Sequence, residues 1–252
     1  MAMTNLDYDR VKRARIDKGL YWDRAWSLVE GCTPVSPGCA HCWSAQQADV
    51  RGHWTGKTRL MEQDLDKPLR VKKPTTWAIW NDLFHKDVPD SFIIEAFARM
   101  TEAHQHTFQI LTKRSDRIVQ FMHDSIWGSP PLKNVWLGIT IESQDQMWRL
   151  VDLGNTPAAI RYVSHEPLLS AIDYDAYSIG PRDANYGKSA LELGLIDWVV
   201  CGAETGPGKR PMELDWARSI RDQCKAAGVP FFMKKASSGD VPSDLMIREF
   251  PR

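Results

Sequence analysis

Seven short apolar runs, most of them separated by amphipathic stretches, constrain this chain more than any other feature. They fall at 26–29, 77–80, 107–111, 135–139, 160–163, 198–201 and 231–233, and are rich in β-branched and aromatic residues. Residues 89–103 repeat Phe92, Ile93, Ala96, Phe97 and Met100 on one helical face, with Pro89 near the start. Residues 215–227 are a second helix, stopped by Gly228 and followed by Pro230. Strand, helix, strand in repetition predicts a parallel sheet. Six or seven units with continuous apolar strands favour an α/β barrel or partial barrel over an open sheet. Residues 1–21 read as a basic N-terminal arm and 22–252 as a single domain. Gly180, Pro181, Asn185 and Gly187 break any period over 174–195, which reads as an insertion.

Parallel β/α folds keep their chemistry at the C-terminal ends of the strands. There this chain has Glu30, Asn81, Asp82, Lys113, Arg114, Thr140, Glu142, His165, Glu166, Glu204, Lys234 and Lys235, which a closed sheet would gather around one mouth. Polar residues end most strands in any protein, so the pattern alone is not a site. An apolar content of 43% and a charged content of 25% predict a packed core. Net charge is zero, so only local clusters of charge bear on nucleic-acid binding. Eleven tryptophans read mostly as core or pocket walls, with a few available to stack on a planar substrate. No signal-like or bilayer-length apolar run is seen, so a soluble protein of the cytoplasm, without a membrane partner, is expected.

Three of the five cysteines, Cys32, Cys39 and Cys42, lie within eleven residues, spaced by seven and then three positions. Thiolates suit soft metals, and in a reducing compartment clustered cysteines read as ligands more readily than as disulfides. A structural zinc site normally has a fourth protein ligand, and His41 or His53 is available. A 4Fe-4S cluster on three cysteines leaves one iron open to a small molecule, as reductive cleavage of S-adenosylmethionine requires. A helix is expected to begin near Ala40, its N-terminus favouring thiolate charge. Cys201 and Cys224 read as small core residues.

Several motifs occur in order. They are Gly-Cys-Thr-Pro-Val-Ser-Pro-Gly-Cys-Ala-His-Cys at 31–42, Asp-Leu-Phe-His at 82–85 and Gln-Ile-Leu-Thr-Lys-Arg at 109–114. Then come Trp-Leu-Gly at 136–138, Ser-His-Glu-Pro-Leu-Leu at 164–169 and Gly-Ala-Glu-Thr-Gly-Pro-Gly-Lys-Arg-Pro at 202–211. Over roughly 22–235 the chain resembles a family of radical S-adenosylmethionine-like, three-cysteine iron–sulfur proteins of phages and bacteria. The resemblance implies a partial TIM-type barrel of the radical S-adenosylmethionine kind. It also implies a 4Fe-4S cluster on Cys32, Cys39 and Cys42 as metal ligands, with S-adenosylmethionine as cofactor. Some phage relatives act in thymidine hypermodification, isomerising an N-linked glycyl adduct on the thymine methyl to the C-linked form, which shields viral DNA from restriction.

On this resemblance the chain is a radical enzyme, an isomerase, with DNA carrying modified thymidine as substrate and an electron donor as partner. Expected catalytic residues are Glu204, Asp82 and Glu166, and expected cofactor contacts are Asn81, Asp82, Trp43 and Glu204. His85 is a further candidate near the cluster. Lys113, Arg114, Lys209, Arg210 and Lys234 form the expected nucleic-acid rim. The chain departs from the usual radical-enzyme pattern in its cysteine spacing, in having His41 before the last cysteine, and in having Asn81 and Asp82 where Gly-Gly-Glu often follows the second strand. His165 stands where relatives often carry an apolar residue. Two other readings stay open: a radical enzyme on a free nucleotide or peptide, and a zinc-stabilised nucleic-acid-binding protein without catalysis.

Overall fold

A computed structural model describes residues 5–45, 57–126, 130–176 and 188–251. Helix α1 (Asn5–Asp17) precedes strand β1 (Arg24–Ser27). A two-stranded ribbon, β2 (Val29–Glu30) with β3 (Arg59–Leu60), follows. Then come β4 (Thr76–Trp80), α2 (Asp90–Glu102), β5 (Thr107–Thr112), α3 (Ser115–Ile126), β6 (Val135–Thr140), α4 (Arg149–Gly154) and β7 (Ile160–His165). Strand β8 (Trp198–Gly202), α5 (Leu214–Ala227) and β9 (Phe231–Lys235) complete the set.

Seven strands form one parallel sheet in the order β1-β4-β5-β6-β7-β8-β9. The order follows the chain, with no reversal, so the sheet curls one way into a half-barrel. The expected partial β/α barrel is met at that level. Six of the seven expected strands lie inside observed ones. The first is displaced: the sheet takes Arg24–Ser27, and Val29 and Glu30 leave to pair antiparallel with Leu60 and Arg59. The Arg59 guanidinium, 3.1 Å from Glu30 through Nε, ties the ribbon.

The two expected helices are present within one residue at each end. In α2 the five anticipated apolar residues are all buried. Helix α5 ends at Gly228, whose φ of 70° is left-handed, and the N–H groups of Gly228 and Val229 satisfy the carbonyls of Lys225 and Cys224.

Alternation along the strands builds two layers. Trp26, Trp77, Phe108, Ile110, Val135 and Leu137 pack outward with α2 and α3. Ile139, Val163, Val199, Cys201, Phe231 and Met233 continue that layer with α4 and α5. On the concave face, Tyr162, Trp198, Val200 and Phe232 cluster with Tyr21 from the segment before β1. The Trp198 ring lies 5.2 Å from Tyr21, 5.6 Å from Tyr162 and 5.5 Å from Phe250, so aromatic rings floor the half-barrel.

Toward the C-terminal ends the same face carries Ser27, Trp80 and Ser164, while Gly138 lies level with Tyr162. A Cβ on Gly138 would stand 2.4 Å from the Tyr162 ring, which crosses β6 there and donates its hydroxyl to Ile110 O at 3.1 Å. The floor is thus filled by aromatic rings.

The arm is partly tied in: Arg15 donates to Trp22 O, and Arg248 to Ile16 O. Of the insertion, 174–176 and 188–195 are described and 177–187 lie outside the described residues. No helix among the described residues is long and apolar enough to cross a membrane.

Candidate functional site

The cysteine loop leaves β2 at Gly31, whose φ is +81° and where a Cβ would fall 2.2 Å from Lys57 O; only glycine fits that turn. Cys32, Cys39 and Cys42 form no disulfide and are half-buried at the C-terminal mouth, whereas Cys201 and Cys224 are fully buried. Burial pushes the thiols of that second pair far above the usual range, as suits core residues. A 3-10 turn, Pro37–Cys39, carries Cys39, and the Cys42 N–H bonds to Cys39 O. Helical conformation starts at Trp43 and reaches Ala45, the last described residue there, rather than starting near Ala40.

One buried network braces Cys32. The Arg114 guanidinium stands 3.6 Å from Cys32 Sγ, pairs with Asp82, and donates to Thr33 O and Oγ1 at 2.9 and 3.0 Å. Asp82 Oδ1 also accepts from Thr112 Oγ1 at 2.8 Å and from the Phe84 N–H at 3.1 Å. Burial raises the Cys32 thiol above its ordinary value and Asp82 adds to this, while Arg114 opposes both. His85 Nδ1 accepts from the Asp87 N–H, which leaves Nε2 to donate to Thr33 Oγ1 at 2.8 Å. Burial, then the Arg114 charge, lower the His85 pKa and keep the ring neutral.

A second network braces Cys39. Glu142, fully buried past the end of β6, accepts from Arg149 at 2.8 Å and from Ser36. Arg149 also donates to Thr140 O at 2.7 Å. A Cβ at Gly38 would lie 2.8 Å from Glu142 Oε1, so the glycine beside Cys39 lets the loop seat on the carboxylate.

Next to Cys42, Asn81 takes a left-handed φ of 59°. Its amide donates to Val29 O at 2.6 Å and its carbonyl accepts from Ser44. The Trp43 ring packs on Trp80 at 4.9 Å. The 202–211 turn closes on the loop from the other side. Glu204 accepts from the Arg210 N–H and Nε at 2.8 and 2.9 Å, and a Cβ on Gly208 would stand 3.1 Å from His41 Nδ1. Burial would raise the Glu204 pKa; the hydrogen bonds from Arg210 outweigh it and hold the carboxyl below its usual value.

Residues 18–244 match the profile of a family described as a protein of unknown function, DUF5131. The chain belongs to that family. No curated protein and no solved structure matches it. The family span begins just after α1 and covers the whole sheet, the cysteine loop and the 202–211 turn.

The expected site residues therefore meet at one mouth, in separate groups. Asp82 is with Cys32; Asn81 and Trp43 are with Cys42; Glu204 faces the loop through His41 and Gly208. Glu166 lies across Gly202, its carboxylate 2.7 Å from Lys234 Nζ. The expected rim is largely self-neutralised: Arg114 is on Asp82, Arg210 on Glu204, Lys234 on Glu166, and Lys209 donates to Ser237 O at 2.9 Å. Lys113 is half-buried.

Among the described residues no three His, Cys, Asp or Glu side chains are arranged around a common metal position, and His53 lies outside them. Sequence reasoning placed Glu142 at the mouth without a role and passed over Arg149. A charge two positions past β6, followed seven positions later by Arg149, was the available signal. Ser164 Oγ, fully buried on the concave face, has no hydrogen-bond partner among the described residues.

Proposed function

We propose that the protein is a radical S-adenosylmethionine enzyme that holds a 4Fe-4S cluster on Cys32, Cys39 and Cys42. The observation that carries this reading is three cysteines free of disulfides on the loop after the first strands, at the C-terminal mouth of a sequential parallel half-barrel. The donor set fits: three soft sulfurs suit an iron–sulfur cluster and leave one iron open. When bound, cluster and cofactor supply one-electron cleavage of a sulfonium and, through it, hydrogen-atom abstraction.

The chain's own residues support that chemistry. Arg114 offers an N–H to Cys32 sulfur, and Asp82 and Thr33 hold the guanidinium there. Glu142 and Arg149 hold the Cys39 turn. The aromatic floor excludes water from below. Glu204, Asn81, Asp82 and Trp43 stand beside the loop as cofactor contacts.

The substrate we propose is an amino-acid adduct of thymidine in DNA, isomerised from N-linked to C-linked; this rests on the sequence resemblance. Anaerobic reconstitution tests the centre. It should give a brown protein with about four irons per chain, and Cys32→Ala, Cys39→Ala or Cys42→Ala should abolish the colour. A colourless protein with one zinc overturns the reading. Formation of 5′-deoxyadenosine by reduced protein, with and without modified DNA, tests the substrate; equal amounts in both remove DNA.

A further inference from the structure

A groove of about 850 Å³ runs along β1, the edge strand of the sheet, away from the carboxylates of the mouth. Four cations line it, Arg15, Arg24, Lys67 and Arg70, against Asp23 as the one acidic residue of the lining. On a chain of zero net charge this is a local concentration of positive charge. Arg24, Lys67 and Arg70 are exposed. Lys67 pairs with Asp64 at 2.7 Å, and Asp23 accepts from the Thr76 N–H at 2.8 Å.

The same groove is walled by half-buried Trp22 and Trp80, whose rings meet edge to face at 5.8 Å. The Arg15 guanidinium caps Trp22 at 5.2 Å. Trp80 in turn touches Trp43, the residue after Cys42. A row of rings thus leads from the groove to the cysteine loop.

We propose that this groove binds single-stranded nucleic acid, its phosphates on Arg24, Arg70 and Lys67 and its bases against Trp22 and Trp80. Cations alone would fit any polyanion. Indole faces interleaved with them favour a chain that alternates phosphates with flat rings. The surface is distinct from the strand-end rim expected from sequence, and the proposal does not depend on what the cysteines bind.

The test is fluorescence anisotropy of labelled oligodeoxythymidylate with the full chain, titrated at several salt concentrations. Arg24→Glu with Arg70→Glu should weaken binding at least tenfold. It should also flatten the slope of log affinity against log salt by about 1.4, the loss of two single-strand phosphate contacts. Arg24→Gln with Arg70→Gln, a milder change at the same exposed positions, should move both readouts the same way. Lys209→Glu and Cys32→Ala should leave them unchanged, which separates the groove from the rim and from the metal centre. Oligodeoxythymidylate should outcompete inorganic polyphosphate of equal charge. Unchanged binding in both double variants, equal loss in Lys209→Glu, or equal competition by polyphosphate or an acidic peptide overturns the proposal.

Discussion

At Arg114 three demands meet on one guanidinium: Cys32 sulfur, the Asp82 carboxylate and the Thr33 carbonyl. Both members of the ion pair are more than nine-tenths buried as side chains. Removing one leaves the other charged and unpaired, which in buried pairs costs about 3–5 kcal/mol. Arg114→Ala should therefore lower stability by about that amount in denaturant titration. Arg114→Lys should cost less but lose the contacts that a planar fork makes at once. His165 offers a pH-dependent counterpart. Its Nδ1 donates to Ile141 O at 2.7 Å and its Nε2 accepts from the Tyr174 hydroxyl at 2.8 Å.

Burial lowers the His165 pKa to about 4 from an ordinary 6.5. A depressed histidine pKa means that the unfolded chain takes the proton first. Stability is then full above pH 6.5 and is lost as pH falls towards 4, by on the order of 3 kcal/mol. His165→Gln should flatten the dependence of unfolding free energy on pH across that window. An unchanged slope would show that other groups set it.

Elements are held by a few close approaches. Gly138 lets the Tyr162 ring cross β6, so Gly138→Ala should overpack the concave face and cost about 1–3 kcal/mol. Gly228 has open space around it but a left-handed φ, so Gly228→Ala should cost only about 1 kcal/mol, from backbone strain. Chemical denaturation of the two variants side by side checks the order. The cysteine loop is an element of this kind too. Glu142→Gln leaves Arg149 buried without its counter-charge and loosens Ser36. It should destabilise the fold by about 3 kcal/mol and reduce iron retained after anaerobic reconstitution. Full retention would mean that the Cys39 turn holds without it.

In the whole molecule the N-terminal segment closes the aromatic floor. Tyr21 sits between Trp198 and Phe232 at 5.2 and 5.5 Å and is 8% exposed. Deletion through Asp17 removes Ile16 from the edge of the floor and should cost less than loss of the Tyr21 ring. Tyr21→Ala should cost about 3–5 kcal/mol, like other large aromatic truncations, and should raise binding of an apolar dye. Equal stability of the two variants would remove Tyr21 from the core. A concavity of about 1000 Å³ lies at the N-terminal ends of β7, β8 and β9, far from the cysteines. The thiols and buried charges of the site stand at the opposite end of the sheet.

The sequence alone determined six of the seven sheet strands, the two helices over 90–102 and 214–227, and the end of the sheet that carries the polar groups. Apolar period and Gly or Pro stops are local, so strands such as 135–139 and the 215–227 helix were legible from their own residues. The cysteine loop was legible because its ligand types sit within eleven positions. What only the tertiary structure decided is which charge meets which. Arg114 reads as a rim cation next to Lys113, yet curling of the sheet brings it to Asp82, 32 positions away, and to Cys32, 82 positions away. Ser36 meets Glu142 across 106 positions, and Glu166 meets Lys234 across 68. Pairings at that range depend on sheet register and curvature, which no local pattern encodes, and they turn an expected basic rim into a braced, mostly neutral mouth.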